Sequence, residues 1–157
     1  IRRDFRLLMT IPPASRVERE IFNEARRLGV AEHIVNRGPF LLSEGPALYK
    51  KSNLMFMPTL LETFSASYLE AMISGCPIVT TDLDFARDIC RDAADYFSPL
   101  NAAQAAETIM RLMEDDKHRE MIIQKGYDRI KEFPTIEKRY QMIVNILEKI
   151  HAEGTMQ

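Results

Sequence analysis

The sequence predicts an α/β fold, a parallel sheet with helices on both faces. Three observations carry that reading. Short apolar runs alternate with longer segments of helical period, the order that builds a parallel sheet through right-handed crossovers. Glycine and proline fall where those segments stop. A chain of 157 residues, 46% hydrophobic and 28% charged, is one ordinary globular domain by composition.

The elements follow in order. Phe5 to Ile11 is an apolar run ended by Pro12 and Pro13, read as a buried strand. Ser15 caps a helix from about Arg16 to Leu28. Its apolar positions Val17, Ile21, Phe22, Ala25 and Leu28 share one face, and Gly29 ends it. Ile34 to Gly38 is a second strand, turning at Gly38, Pro39 and Phe40. Ser43 caps a short helix to about Lys51. Leu54 to Met57 is the third strand, stopped by Pro58.

A loop over Thr59 to Thr63 leads into a helix that begins near Phe64 and closes at Ser74 and Gly75. Pro77 bars its continuation, and Pro77 to Thr81 is the fourth strand. Asp82 or Asp84 caps a helix from about Phe85 to Arg91, and Ala94 to Phe97 is the fifth strand. Asn101 caps a helix over Ala102 to about Glu114, and another spans about Lys117 to Glu132. Thr135 caps a last helix, Ile136 to His151. Its stripe is Ile136, Tyr140, Ile143, Val144, Leu147 and Ile150, which marks residues 136–151 as a C-terminal packing helix. The tail from Ala152 is expected to fray.

Composition excludes several classes. With 21 basic and 23 acidic residues the net charge is -2, too balanced for a nucleic-acid surface. No apolar run has the length of a membrane span or a signal-peptide core. Cys76 and Cys90 form neither a disulfide framework nor a zinc site, so a reducing cytosol is the default. His33, His118 and His151 are scattered and read as surface or helix-end residues. No metal-ligand cluster, P-loop or Ser-His-Asp order occurs.

In parallel α/β sheets, ligands collect at the carboxyl ends of strands, beside the amino ends of the following helices. The loop carrying Glu62 is such a place, and free amides in the first helical turn suit a diphosphate. Glu70 lies farther along, on a stripe with Ala66, Ser67, Ile73 and Ser74 that leaves room for a bulky ligand. On residue chemistry alone the plainer reading of each acid is preferred. Glu62 is then a solvated loop carboxylate and Glu70 an exposed helix glutamate.

Glu62 and Glu70 are separated by seven residues, and Ala71-Met-x-x-Gly75-x-Pro77-Ile-Val79 follows. This resembles the E-x7-E motif of retaining nucleotide-sugar glycosyltransferases of the GT-B fold, family four or group one. The similarity covers nearly the whole chain. It implies a Rossmann-like α/β/α domain, the C-terminal, donor-binding half of a two-domain enzyme, with residues 1–157 as one nucleotide-sugar-binding domain. Measured against the family, the chain is truncated at its N-terminal edge and lacks the first strand, its basic phosphate-binding loop and its helix. The Phe5 and Leu54 strands would then pair directly or leave an edge for another chain, including self-association.

The resemblance also implies roles. Glu70 matches the acid that binds the ribose hydroxyls, as an ionised carboxylate suits a vicinal diol. Glu62 matches the catalytic-site acid beside the donor sugar. Thr63, Phe64 and Ser65 match a Gly-Phe-Gly segment whose amides approach sugar and diphosphate, with both glycines replaced here. Gly38, Pro39 and Phe40 match the outlet that borders the nucleobase, with core packing the equal alternative for Phe40.

The implied reaction is retaining glycosyl transfer from a nucleoside-diphosphate sugar to a hydroxyl acceptor, in cell-surface polysaccharide or glycolipid synthesis. It needs no cofactor and no metal. A sugar-nucleotide epimerase of the same shape and a non-catalytic nucleotide-sensing or interaction domain are the alternatives. The expected partners are the donor and an N-terminal Rossmann-like domain holding the acceptor site. The parent is expected in the cytoplasm, with peripheral association at the inner face of the membrane. This piece alone is expected to be inactive.

Overall fold

The computed structural model describes residues 5–154. The chain divides into two compact units, one up to Gly45 and one from Pro46 onward.

The first unit holds β1 (Leu7–Met9), α1 (Arg16–Arg27) and β2 (Ile34–Asn36). β1 and β2 pair in parallel, Leu7 opposite Ile34, which makes α1 their crossover helix. Ser15 caps α1 as its sequence position requires, its Oγ accepting the Glu18 amide at 3.1 Å. Gly29 follows α1 at φ +68, a conformation glycine adopts without strain. The buried-strand expectation for Phe5 to Ile11 is corrected. Leu7 and Leu8 are exposed at 36% and 43%, and Phe5 lies outside the strand, stacked on His33 with centroids 4.9 Å apart. Two three-residue strands and one helix have too few atoms to cover both faces.

Ser43 is not a cap. It lies inside a 3-10 turn, Leu42–Glu44, and the Glu44 carboxylate accepts the Leu41 amide at 2.8 Å instead. α2 (Gly45–Lys51) follows that turn.

The second unit is a three-stranded parallel sheet in the order β3 (Met55–Met57), β4 (Ile78–Thr81), β5 (Asp95–Phe97). α3 (Ala66–Ile73) connects β3 to β4, and α4 (Asp84–Cys90) connects β4 to β5. α5 (Ala102–Glu114), α6 (Asp116–Ile130) and α7 (Ile136–Gly154) follow. The two parallel sheets replace the single sheet expected, because each crossover through α1, α3 or α4 delivers a paired strand and the stretch from β2 to β3 does not.

Alternation along β4 builds two cores. Ile78 faces a cluster with Tyr68, Ala71, Met72, Ala86, Ile89 and Cys90. Its neighbour Val79 faces Phe97, Ala105, Leu112 and Ile122 on the opposite side. Helices therefore cover both faces, the three-layer arrangement of a Rossmann-like α/β fold. Asn101 caps α5 through the Gln104 amide at 3.0 Å, and Thr135 Oγ1 accepts the Lys138 amide at 3.2 Å at the start of α7. Neither Asp82 nor Asp84 reaches back as a cap for α4. Leu83 holds the N-cap position, and Asp82 is drawn to Arg87 at 2.6 Å.

The stripe on α7 is exposed. Ile136, Tyr140, Ile143, Leu147 and Ile150 range from 52% to 83% accessible. α7 continues to Gly154, past the expected start of fraying at Ala152, and the rest of that tail lies outside the described residues. No helix among the described residues is long and apolar enough to cross a membrane.

Candidate functional site

The site is built on the carboxyl end of β3. There the chain leaves the sheet at Met57 and Pro58 and runs through a loop to α3. Two threonines of β4 fasten that exit. Thr80 Oγ1 donates to the Met57 carbonyl at 3.0 Å, and Thr81 Oγ1 donates to the Thr59 carbonyl at 2.6 Å. Tyr68 Oη lies 2.7 Å from Thr80 Oγ1. Thr80 has one hydroxyl proton and Met57 receives it, so Tyr68 is the donor in that pair. Burial raises the Tyr68 phenol above its ordinary value, which keeps it a donor. Carbonyls at the root of the loop are thus held by hydroxyls that are themselves buried.

Glu62 is half-buried, and its Oε1 accepts the Thr63 amide at 3.1 Å. It lines a groove of about 520 Å³ together with Leu61, Thr63, Phe64, Asp84, Asp88 and Phe133. Phe64 is 49% exposed, its ring edge-on to Phe133 with centroids 6.5 Å apart. Thr63 is exposed and Ser65 buried at 8%. α3 begins at Ala66 rather than near Phe64, so the Thr63 and Phe64 amides belong to the loop. Ser65 occupies the N-cap position without a side-chain cap, which leaves the first amides of α3 uncapped by it.

Glu70 sits on α3, half-buried, and is not one of the groove's walls. Its Oε2 accepts a hydrogen bond from Tyr49 Oη at 3.0 Å. Desolvation drives the Tyr49 phenol up to about 12, a hydrogen bond to Ser67 opposes that, and Glu70 adds to the rise. The structure therefore gathers Glu62, Thr63 and Phe64 on one groove and sets Glu70 in a separate polar contact with α2.

Gly38, Pro39 and Phe40 lie in the first unit. Gly38 is buried at φ +80, its amide donating to Asn36 Oδ1 at 3.1 Å. Pro39 is exposed. Phe40 is half-buried, and its Cε2 would lie 3.4 Å from a Cβ added to Gly45, so its ring packs on that glycine.

Several polar residues were invisible to sequence reasoning. Tyr49 is one. Another is His118, whose Nε2 lies 2.9 Å from Oδ2 of the buried Asp95, with Arg111 at 3.5 Å from the same oxygen. A third is Arg87, bidentate to Asp82 and 3.6 Å from the centre of the Tyr96 ring. Each pair lies on different elements or across a turn, and no spacing rule joins them. The described residues contain no group of acids, histidines and cysteines that could hold a metal ion.

The family model for glycosyl transferases group 1 matches residues 17–129. A sucrose synthase of Thermosynechococcus vestitus is 31% identical over 86 residues, 51% of this chain and 11% of that protein. An O-antigen chain mannosyltransferase B of Escherichia coli is 27% identical over 88 residues, 56% of this chain and 23% of its own length. The matches thus span less than a quarter of either relative. The crystal structure of Anabaena HepE in complex with UDP-glucose superposes with a TM-score of 0.74 at 19% identity, covering 83% of this chain and 36% of that one. That likeness is one of fold.

Proposed function

The chain belongs to the glycosyl transferases group 1 family, and we propose that it forms the donor-binding part of a retaining glycosyltransferase. The donor is a nucleoside-diphosphate sugar and the acceptor a hydroxyl. The observation that carries this reading is the placement of Glu62. It stands in the loop after the parallel strand β3, on a groove, just before the N-terminus of α3, whose N-cap residue Ser65 makes no side-chain cap. Ligands of parallel α/β sheets collect at that place. The UDP-glucose bound by HepE supports a nucleotide sugar as the class of donor. The name of the O-antigen mannosyltransferase supports cell-surface glycan synthesis as the setting.

In this reading Glu62 contacts hydroxyls of the donor sugar and Glu70 accepts from the ribose hydroxyls. As the glycosidic bond breaks, negative charge grows on the departing diphosphate. The amides of Phe64, Ser65 and the first turn of α3 oppose that charge as oriented dipoles, and the Thr63 amide, which here donates to Glu62, joins them when Glu62 turns to the sugar. Thr63 and Ser65 add hydroxyls where glycines would leave only backbone. The acceptor and the remaining phosphate contacts are assigned to the rest of the parent protein, and residues 1–157 alone do not turn over.

The test uses the full-length parent protein and a panel of UDP- and GDP-sugars. Glu62→Ala is expected to lower kcat by about tenfold or more while free-nucleotide affinity stays within about threefold. A parallel fall of kcat, affinity and melting temperature would instead make Glu62 a structural residue. Epimer formation in place of sugar transfer would overturn the reaction class.

A further inference from the structure

The Tyr49–Glu70 contact has a use that the donor-site reading does not by itself contain. Glu70 is the acid assigned to the ribose diol, and a glutamate on a helix face has three rotatable bonds before its carboxylate. A vicinal diol needs both oxygens held in one plane and orientation. Something must restrain them, and a freely rotating carboxylate would lose that order each time the ligand leaves.

We propose that Tyr49, reaching from α2, is a positioning residue that orients the Glu70 carboxylate for a ribose diol and so sets discrimination between ribo- and 2′-deoxyribonucleotides. The proposal rests on the donor-site reading of Glu70. Its own support is geometric. Tyr49 Oη donates to Oε2 at 3.0 Å, and among the described residues no hydrogen bond to Oε1 is formed. One oxygen is thus anchored, while its second lone pair and the whole of Oε1 stay open to hydroxyl donors.

The anchor is itself held. Tyr49 is partly buried against the core cluster that holds Tyr68 and Ala71 of α3 together with Cys76, which restricts its ring. The last turn of α2 is closed by Ser52, whose Oγ donates to the Leu48 carbonyl at 2.9 Å. Burial keeps the phenol protonated through neutral and mildly alkaline pH, so it remains a donor to Glu70 wherever the enzyme would be assayed. A tyrosine suits the task better than a lysine or arginine. It restrains the carboxylate without neutralising the charge that the ribose hydroxyls are to meet.

The experiment titrates the full-length protein with UDP, GDP and ADP and with their 2′-deoxy forms, by calorimetry, using wild type, Tyr49→Phe, Glu70→Gln and the double variant. Phenylalanine keeps the ring's packing and removes only the hydroxyl. Wild type is expected to prefer the ribo form of the best-bound nucleotide. Tyr49→Phe is expected to weaken that ribo form about three- to tenfold and to leave its 2′-deoxy form within about twofold, as loss of one hydrogen bond's ordering effect implies. On the Glu70→Gln background the same change should do nothing further.

If Glu70→Gln abolishes the preference and Tyr49→Phe does not touch it, the positioning role falls and the donor-site reading stands. If Glu70→Gln leaves the preference intact, or wild type shows none, the reading of Glu70 falls and takes the role of Tyr49 with it. Equal losses for ribo and 2′-deoxy forms in Tyr49→Phe, with a lowered melting temperature, would make the contact purely structural and overturn the proposal.

Discussion

The two units of the chain hold their strands in opposite ways. In the second, Tyr68, Ile78, Val79, Thr80, Thr81, Cys90 and Leu112 are all less than 2% exposed, and β4 is covered on both faces. In the first, Ala25 is the one buried hydrophobic residue described, while Val17, Leu28 and Val35 stand 41% to 58% exposed. The first unit is fastened by a polar hub instead. Asn36 Nδ2 donates to Glu18 Oε1 at 2.7 Å and to the Ile11 carbonyl at 3.2 Å, while its Oδ1 accepts the Gly38 amide. The Ala14 amide donates to the other oxygen of Glu18. Apolar packing resists substitution in proportion to buried volume, whereas a hydrogen-bonded hub near solvent contributes a modest net stability. A site that must keep a loop at fixed geometry is better mounted on the first kind of scaffold. Glu62 and Glu70 both stand on it.

Large-to-small substitution separates the two units most sharply. Leu112→Ala in the second unit is expected to cost about 2–5 kcal/mol, and Leu8→Ala in the first, at 43% exposure, less than about 1 kcal/mol. Urea unfolding of both variants checks this, and equal costs would dissolve the contrast.

Glycine gives a finer test. Gly29 and Gly75 both sit at φ +68. A Cβ at Gly29 meets nothing within 4 Å, but one at Gly75 would lie 2.3 Å from Tyr127 Oη. Gly29→Ala should cost about 1 kcal/mol from backbone strain, and Gly75→Ala about 2 kcal/mol because the Tyr127 ring must also move. Melting curves that place the two together would show that the ring swings out freely.

The contrast also predicts a dependence on alkaline pH. Burial pushes the Cys76 thiol up to about 11 and the Cys90 thiol to about 12. The unfolded chain's thiols ionise near about 8.5. Their contribution is therefore fully present below that value and is lost as pH rises through the window up to the folded values. Both cysteines belong to the second unit. The urea midpoint should fall between about pH 8 and pH 10, with the loss confined to that unit. A flat midpoint across the range, or rapid labelling of native protein by a thiol reagent at pH 8, would contradict it.

Local signals were legible where one residue's own chemistry sufficed. Ser15 and Asn101 cap the helices their positions announced, and Gly29 and Gly75 end helices at positive φ. Each depends on contacts within about one helical turn, which sequence encodes directly. Ser43 and Asp82 failed as caps because a neighbouring side chain supplied a competing partner, and the Asp84 carboxylate accepts the adjacent Phe85 amide instead. Glu44 took the Leu41 amide, and Arg87 took Asp82. The apolar run at Phe5 named a strand correctly and its burial wrongly, since burial is set by what packs over a strand and not by its own side chains.

From sequence alone came the parallel α/β class, the positions of the strands and helices, and the pair of glutamates flanking the start of α3. These follow from period and local stereochemistry, which act over a few residues. Only the tertiary structure decided that the strands pair in two sheets, that Glu62 stands on a groove, and that Glu70 meets a tyrosine from another helix. Those outcomes depend on residues some twenty positions apart being brought within hydrogen-bond reach, and no local preference determines which side chains a crossover will set face to face.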